Sequence, residues 1–313
     1  MTQSSVTAFT LRIGTRGSPL ALAQTRMVRA QLAAAHGWDE AAIDVKVIRT
    51  SGDRIQDRPL SEAGGKGLFT KEIEEALLLE EIDLAVHSAK DMPTALPDGL
   101  TLAACLRRED VRDAFISRKA ASLPLLPVGA VVGTASVRRQ AMVKRLRPDL
   151  GTVSLRGNVE TRLKKLAAGE VDATVLALAG LKRLDLTDAV TAVLDIEEFL
   201  PAVGQGAITI EARADDTRTR DLLARIDHCD TSVALAAERA FLTVLDGSCR
   251  TPIAGHAVLE GDAIAFRGMI LRPDGSQVFE TNRQGSRRDA VALGADAGAE
   301  LKRRAPHDFF AVQ

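Results

Sequence analysis

Aromatic side chains are scarce in this chain of 313 residues. They make up 3% of it, tyrosine is absent and there is one tryptophan. Proteins that bind single-stranded nucleic acid stack bases on aromatic rings, so the composition argues against that class. A net charge of −1 also supplies no overall field that would attract a long polyanion. We therefore expect no nucleic-acid partner and a small anion as ligand.

Cysteine is equally rare, with three widely spaced residues: Cys105, Cys229 and Cys249. An odd number without a Cys-x-x-Cys spacing predicts neither a disulfide framework nor a thiolate metal site. The five histidines show no ligand spacing, so no metal is predicted. This pattern favours a reducing, cytoplasmic location.

Long apolar runs are missing as well. Residues 173–181 are typical of the longest, and that length suits a buried strand rather than a membrane span. Residues 1–10 lack the basic and apolar regions of a secretion signal. The sequence therefore predicts no membrane association, and nothing in it demands more than a monomer.

Strand-like and helix-like segments alternate over the first third of the chain. Strands are predicted at 11–15, 44–50 and 82–86, and helices from Ser18 to near Gly37 and over 70–79. The polar, glycine-rich residues 51–67 predict a mobile loop. Such alternation predicts a parallel sheet that binds ligands at the carboxyl ends of its strands.

A second series of the same plan follows residue 106. Its strands are predicted at 114–117, 130–133, 152–155 and 173–178, with helices starting near Ser136, Asn158 and Gly180. The strand at 207–212 is expected to return to the first sheet. The predicted fold class is α/β: two lobes with a cleft between them, plus a smaller α+β C-terminal domain. The expected domains are 1–106 with 201–222 (first lobe), 107–200 (second lobe) and 223–313 (third domain).

Three turns that follow strands share one composition, with arginine beside small residues at the start of a helix. They lie at residues 15–18, 133–139 and 155–162. Helix amino termini bind anions, and arginine binds carboxylates in a bidentate manner at about 1.5–3 kcal/mol for a charged hydrogen bond. Ordinary capping with solvated arginines explains any single turn. Three turns of one type favour a ligand with several carboxylates.

Two further segments carry polar side chains in loops. Residues 63–69 resemble a phosphate loop, but Gly67 follows Lys66 where that motif needs Ser or Thr, so a flexible lid is predicted instead. Residues 86–93 hold Lys90 beside Asp91 at the end of a strand. In a dry cleft each can shift the pKa of the other, which makes Asp91 a candidate acid or base. A polar turn without a chemical role is the alternative.

Residues 245–255 place Cys249 beside Arg250 in a loop of turn-forming residues. A thiol in that setting is a candidate nucleophile, although loop cysteines without a role are common. For Cys105 and Cys229 we expect structural or incidental roles.

Together these motifs resemble the porphobilinogen deaminase (hydroxymethylbilane synthase) family from about residue 11 to the C-terminal region. The segments that carry the resemblance are 12–21, 64–69, 87–91, 133–140, 155–158, 200–206 and the cysteine loop. The resemblance implies two lobes like those of periplasmic binding proteins and a third domain that carries the cysteine. It also implies a dipyrromethane cofactor attached to Cys249 by a thioether. Four porphobilinogen molecules are then added head to tail with loss of ammonia, and hydrolysis releases the linear tetrapyrrole.

The resemblance also assigns residues to roles. Asp91 and Lys90 match catalytic positions. The matches to cofactor-binding positions are Cys249, Arg138, Arg139, Lys90, Ser136, Thr134, Asp91, Arg156 and Ser88. The matches to substrate-binding positions are Arg16, Ser18, Arg156, Arg162, Gln205, Lys66 and Arg183, with Arg12 as a further candidate. Ser248 and Ala135 depart from residues common in the family, Gly and Ser respectively, and little effect is expected because both are small.

A protein of another class would also fit part of this pattern. A two-lobed anion-binding or sensor protein without catalysis explains the arginine turns, but it gives no role to Asp91 or Cys249.

Overall fold

The computed structural model describes residues 11–54, 67–247, 251–306 and 308–310. The first elements in chain order are β1 (Leu11–Thr15), α1 (Pro19–His36), β2 (Ile43–Val47), α2 (Ser51–Arg54), α3 (Lys71–Leu78), β3 (Leu84–Ser88) and β4 (Leu100–Cys105). Ser18 caps α1 by accepting a hydrogen bond from the Ala21 amide, and Gly37 ends it with a φ of 65°. The predicted start and end of this helix are therefore confirmed.

The next elements are β5 (Asp113–Ser117), β6 (Val131–Gly133), α4 (Val137–Leu146), β7 (Gly151–Val153), α5 (Val159–Ala167), β8 (Ala173–Ala177), α6 (Leu178–Arg183) and β9 (Ala192–Val193). Ser136 and Asn158 cap α4 and α5 through their side-chain oxygens, as predicted. Helix α6 begins two residues before its predicted start near Gly180.

The last elements are β10 (Ile208–Arg213), α7 (Thr217–Ala224), α8 (Cys229–Val244), β11 (Ile253–Glu260), β12 (Ala263–Leu271), β13 (Val278–Ser286) and α9 (Ala290–Arg304). Helices α8 and α9 pack against the antiparallel sheet β11-β12-β13. Phe241 and Phe266 meet in this core, with ring centroids 5.0 Å apart.

Two five-stranded sheets form the lobes, in the orders β2-β1-β3-β10-β4 and β7-β6-β8-β5-β9. Strand β10 returns to the first sheet as predicted, but it runs antiparallel to β3 and β4. Strand β5 is likewise antiparallel to β8 and β9. The predicted parallel pairing is confirmed for β1 with β2 and β3 and for β6 with β7 and β8. Strands β5 and β10 depart from it, because each enters its sheet directly from a segment that crosses between the lobes.

The predicted fold class is confirmed by these two α/β lobes and the smaller domain of sheet and helices. The third domain shares apolar packing with the second lobe, since Ala254, Met269 and Leu271 lie in the same core cluster as Phe115 and Val132. The domain limit predicted after residue 222 falls inside α7, which packs against α1 and β4. We propose that the first lobe extends to the end of α7 and that the other predicted limits stand.

The predicted loop at 51–67 begins with the short helix α2. The rest of that prediction, including Lys66, lies outside the described residues, as does Cys249. Within the described ranges, no helix has both the length and the apolar character needed to cross a bilayer.

Candidate active site

The carboxyl end of β3 carries the turn that holds Lys90 and Asp91. Residues Ala89–Asp91 form one turn of 3-10 helix directly after the strand. The Ser88 hydroxyl contacts the side-chain amide of the buried Gln24 on α1, at 2.9 Å from Nε2 and 3.1 Å from Oε1. Ser88, predicted to bind the cofactor, thus ties the turn to α1.

A small pocket opens between this turn and the start of α1. It is lined by Asp91, Ser88, Gln24, Arg16 and Ser18, among others. The Arg16 guanidinium lies 4.2 Å from the ring centroid of Phe69, a cation–π contact. The structure therefore brings Arg16 and Ser18 together with Asp91, although Ser18 Oγ already accepts from the Ala21 amide at 3.2 Å.

Arg12 lies apart from this pocket. Its Nη2 and Nε donate to the Asp83 carboxylate at 2.6 and 3.1 Å. Asp83 precedes β3, and Arg12 is the second residue of β1, so the pair occupies the amino-terminal edge of the sheet. The expectation that Arg12 binds ligand was wrong, because the pocket lies at the opposite end of these strands.

In the second lobe, Arg138 and Arg139 share one buried carboxylate. Asp113 accepts from Arg138 Nη2 at 2.6 Å and from Arg139 Nη2 at 2.7 Å. All three side chains are buried, and Arg138 also donates to the Leu200 carbonyl at 2.8 Å. Burial opposes ionisation of Asp113, but the two guanidinium groups outweigh it and lower the pKa of this carboxyl.

Gln205 connects this cluster to the segment that crosses back to the first lobe. Its Nε2 donates to Asp113 Oδ1 at 3.0 Å and to the Val111 carbonyl at 2.7 Å, and its Oε1 lies 3.5 Å from Arg139 Nη2. Gln205 is fully buried, so it orients Arg139 from within the protein.

Thr134 and Ser136 shape the turn that leads into α4. Thr134 is buried and its Oγ1 accepts from the Ser136 amide at 3.2 Å. Ser136 Oγ lies 3.4 Å from the Arg139 amide that it caps. Thr134 and Ser136 are therefore connected through hydrogen bonds to the amide of Arg139.

Lys90 and Arg162 lie in a common, positively charged environment. Burial and the nearby Arg139 lower the pKa of Lys90 to about 8, against the opposing effect of Asp91. Burial and Arg139 also lower the pKa of Arg162 to about 10, and Asp91 again opposes the shift. Groups of the first lobe thus lie within electrostatic range of groups of the second.

Most of the charged groups that shift the pKa values of Lys90 and Arg162 are themselves cations. The cations are Lys90, Arg138, Arg139, Arg156 and Arg162, and the carboxylates are Asp91 and Asp113. Cations therefore outnumber carboxylates among the described groups around Lys90 and Arg162, in a chain whose net charge is −1. Such a cleft attracts a ligand that bears several carboxylates.

Arg183 and Arg162 make backbone contacts. Arg183 Nη2 donates to the Gly206 carbonyl of the crossing segment at 2.7 Å, and burial lowers its pKa. Arg162 Nε donates to the Gly157 carbonyl at 2.8 Å. Both guanidinium groups are therefore oriented by the main chain.

Sequence reasoning missed Asp113 and Gln24. Asp113 opens an otherwise apolar strand, and a charged residue in that position is a signal of a buried counterion. Gln24 gave no comparable signal, because a glutamine on a helix is usually solvated.

Comparisons with known proteins show the family of this chain. Residues 11–221 match the family "Porphobilinogen deaminase, dipyromethane cofactor binding domain", and residues 233–303 match "Porphobilinogen deaminase, C-terminal domain". Proteins named porphobilinogen deaminase from Nitrobacter hamburgensis and Nitrobacter winogradskyi are each 62% identical over 312 residues, covering 100% of this chain and 99% of theirs. The crystal structure of the methionine-binding protein MetQ aligns with 70% of this chain and 90% of its own, at 14% identity and a TM-score of 0.45. This chain belongs to the porphobilinogen deaminase family.

Proposed function

We propose that this protein is a hydroxymethylbilane synthase, which condenses four porphobilinogen molecules head to tail with loss of ammonia and releases the linear tetrapyrrole by hydrolysis. Two relatives that are 62% identical over full length are named porphobilinogen deaminase. The observation that carries the proposal is the cleft itself, where Asp91 of the first lobe acts on Lys90 and Arg162 amid an excess of positive charge.

The residues of the cleft fit a dipyrromethane cofactor. Each of its two pyrroles bears an acetate and a propionate, and cations outnumber carboxylates around Lys90 and Arg162. Arg138 Nε is also buried without a hydrogen-bond partner, so a donor is left for an acidic group. When bound, the cofactor supplies the pyrrole carbon to which the first substrate is joined. The family domain matched by residues 11–221 is described as binding this cofactor.

The residues proposed to hold the cofactor come from both lobes and the third domain. They are Cys249 as the thioether anchor, with Arg138, Arg139, Lys90, Ser136, Thr134, Asp91, Arg156 and Ser88. Of these, Arg138 acts mainly by organising Arg139, since its own Nη groups already bind Asp113 and the Leu200 carbonyl.

Asp91 is the proposed catalytic group. When ammonia leaves porphobilinogen, the remaining pyrrole carries a positive charge, and a carboxylate held near the ring nitrogen stabilises that charge as it forms. Lys90, whose pKa is about 8, is mostly charged at neutral pH. It therefore binds a carboxylate of the reacting chain and can exchange a proton close to the working pH.

The remaining site residues are proposed to bind incoming and growing pyrroles. They are Arg16, Ser18, Arg156, Arg162, Gln205, Lys66 and Arg183. Arg16 is supported by its place in the Asp91 pocket, and Gln205 by its contact with Arg139. We further propose that the protein works as a cytoplasmic monomer that binds neither a membrane nor nucleic acid. A non-catalytic sensor is not favoured, because the relatives carry an enzyme's name.

Intact mass spectrometry of the purified chain tests the proposal. The wild-type protein should carry an added mass of two pyrrole units and should release ammonia from porphobilinogen. Cys249→Ser should lose both, while the matched control Cys229→Ser should keep both, because Cys229 is exposed at the start of α8. A bare wild-type chain that turns over porphobilinogen would contradict the cofactor assignment.

A further inference from the structure

Four ionisable side chains lie on elements next to the turn that holds Asp91, and the mechanism above uses none of them. They come from four different elements: Glu74 of α3, His87 of β3, Glu211 of β10 and Arg239 of α8. Glu211 is fully buried, and Glu74 and His87 are each 6% exposed. Burying ionisable groups costs free energy unless they compensate one another. We therefore asked whether this set has a role at the neighbouring turn.

His87 and Glu211 form the centre of this set. His87 Nε2 lies 3.2 Å from Glu211 Oε2 across the β3–β10 pair. Side chains alternate along a strand, so His87 faces away from Ser88, which contacts α1, and towards α3. Burial raises the pKa of Glu74 and Glu211 raises it further, which places the two carboxylates in one environment.

Arg239 joins the set from the third domain. Its Nη2 donates to the carbonyls of Pro93 and Thr94 at 2.8 and 3.1 Å. Burial lowers the pKa of Arg239, and the negative charge of Glu211 opposes that effect. Helix α8 is thus hydrogen-bonded to the backbone that follows Asp91.

These contacts flank the turn. Asp91 lies four residues after His87 and two before Pro93, so the close approach of His87 to Glu211 precedes the turn and the Arg239 hydrogen bonds follow it. Helix α8, which carries Arg239, ends at Val244. Cys249 follows five residues later in the sequence. The same helix therefore connects the catalytic turn to the segment that carries the thiol.

We propose that Glu211 and Arg239 are positioning residues that fix Asp91 within the cleft, an inference that rests on the proposed function. Catalytic groups must be held to within about 0.5 Å, and a misplacement of about 1 Å can cost on the order of 100-fold in rate. Loss of this support should lower kcat by about 10–100-fold while KM stays within about threefold, since the carboxylate-binding arginines are untouched.

A matched pair of arginine variants tests the proposal. Arg239→Met removes two hydrogen bonds to carbonyls at the catalytic turn. The control, Arg213→Met, removes two such bonds in the same lobe, to Leu77 and Ile82 at 2.9 and 2.8 Å, together with an ion pair to Asp216. Arg213→Met should therefore lose at least as much thermal stability as Arg239→Met, and both variants should retain the two-pyrrole mass. Only Arg239→Met should show the loss in kcat.

Two conservative variants distinguish a loss of positioning from misfolding. Arg239→Lys keeps a cation near Glu211 and should recover part of the lost kcat, whereas Glu211→Gln keeps size and removes charge and should lower kcat without raising KM. A kcat for Arg239→Met equal to that of Arg213→Met, or a change confined to KM, would overturn the positioning role alone. A wild-type protein with neither the adduct nor turnover would overturn the proposed function, and this inference with it.

Discussion

The two lobes handle charge in opposite ways. The second lobe buries Arg138 and Arg139 around a single carboxylate, Asp113, and Gln205 completes the network. The first lobe instead places Lys90 and Asp91 on one short turn, which is flanked by the hydrogen bonds of Ser88 to Gln24 and of Arg239 to Pro93 rather than built around a carboxylate shared by two arginines. We propose from this comparison a division of labour, in which the second lobe would provide a fixed positive field and the first the reacting carboxylate.

One buried counterion for two arginines is central to that division. A second carboxylate would neutralise the cluster, and none would leave two buried cations without compensation. Asp113 compensates one charge and leaves the other to act on a ligand, which explains how a chain of net charge −1 can bind an acidic oligomer.

The largest predicted effect is on the stability of the second lobe. Asp113→Ala leaves Arg138 and Arg139 buried without their carboxylate and should cost about 3–5 kcal/mol of unfolding free energy. The control Asp110→Ala removes a more exposed pair with Arg112 and should cost less than about 1 kcal/mol. Urea denaturation of both variants measures the difference, and equal losses would contradict the role assigned to Asp113.

The second-largest predicted effect concerns Asp91 of the first lobe, and it is an effect on kcat rather than on stability. Asp91→Ala should lower kcat by about 100- to 1,000-fold, the range typical of a lost electrostatic stabiliser, and Asp91→Glu should lower it less. Asp98→Ala is the control, because Asp98 is exposed nearby in the chain. Rates of ammonia release check this prediction. An unchanged rate in Asp91→Ala would remove Asp91 from the mechanism.

A smaller effect is expected from a single arginine of the second lobe. Arg162→Leu removes one charged contact, worth about 1.5–3 kcal/mol, and should stall elongation at partial chains while the first addition persists. Arg220→Leu is the matched control, since Arg220 also donates to a nearby backbone carbonyl, that of Ala214, but is exposed. The number of pyrrole units attached to each variant, measured by intact mass spectrometry, distinguishes Arg162→Leu from Arg220→Leu. Normal elongation in Arg162→Leu would argue against a role in binding.

The smallest effect is a shift in pH dependence. Burial lowers the pKa of Lys90 to about 8, so its charge is lost as the pH rises through that value and carboxylate binding should weaken. Lys90→Arg keeps the charge and should move the alkaline fall in kcat/KM to higher pH. Identical pH profiles of kcat/KM in the wild type and Lys90→Arg would show that Lys90 does not control the alkaline fall.

The local parts of this structure could be predicted from the sequence. Ser18, Ser136 and Asn158 cap helices as expected, because a cap depends on the residues within one turn of it. The clustering of Arg138, Arg139 and Lys90 also follows from placing turns at the carboxyl ends of strands.

Long-range pairing could not be predicted in the same way. The antiparallel direction of β5 and β10 depends on how the chain crosses between lobes, which no local pattern records. The predicted ligand-binding role of Arg12 was wrong for the same reason, since its partner Asp83 is 71 residues away in the sequence. Asp113 as the shared counterion also depends on contacts across 25 and 26 residues.

The division of labour between lobes is tested most directly by intact masses of wild type, Asp91→Ala and Arg162→Leu after exposure to limiting porphobilinogen. The account predicts that Asp91→Ala keeps the two-pyrrole adduct and gains no further units, whereas Arg162→Leu accumulates partial chains. Additions to Asp91→Ala at the wild-type rate, with no partial chains on Arg162→Leu, would contradict it.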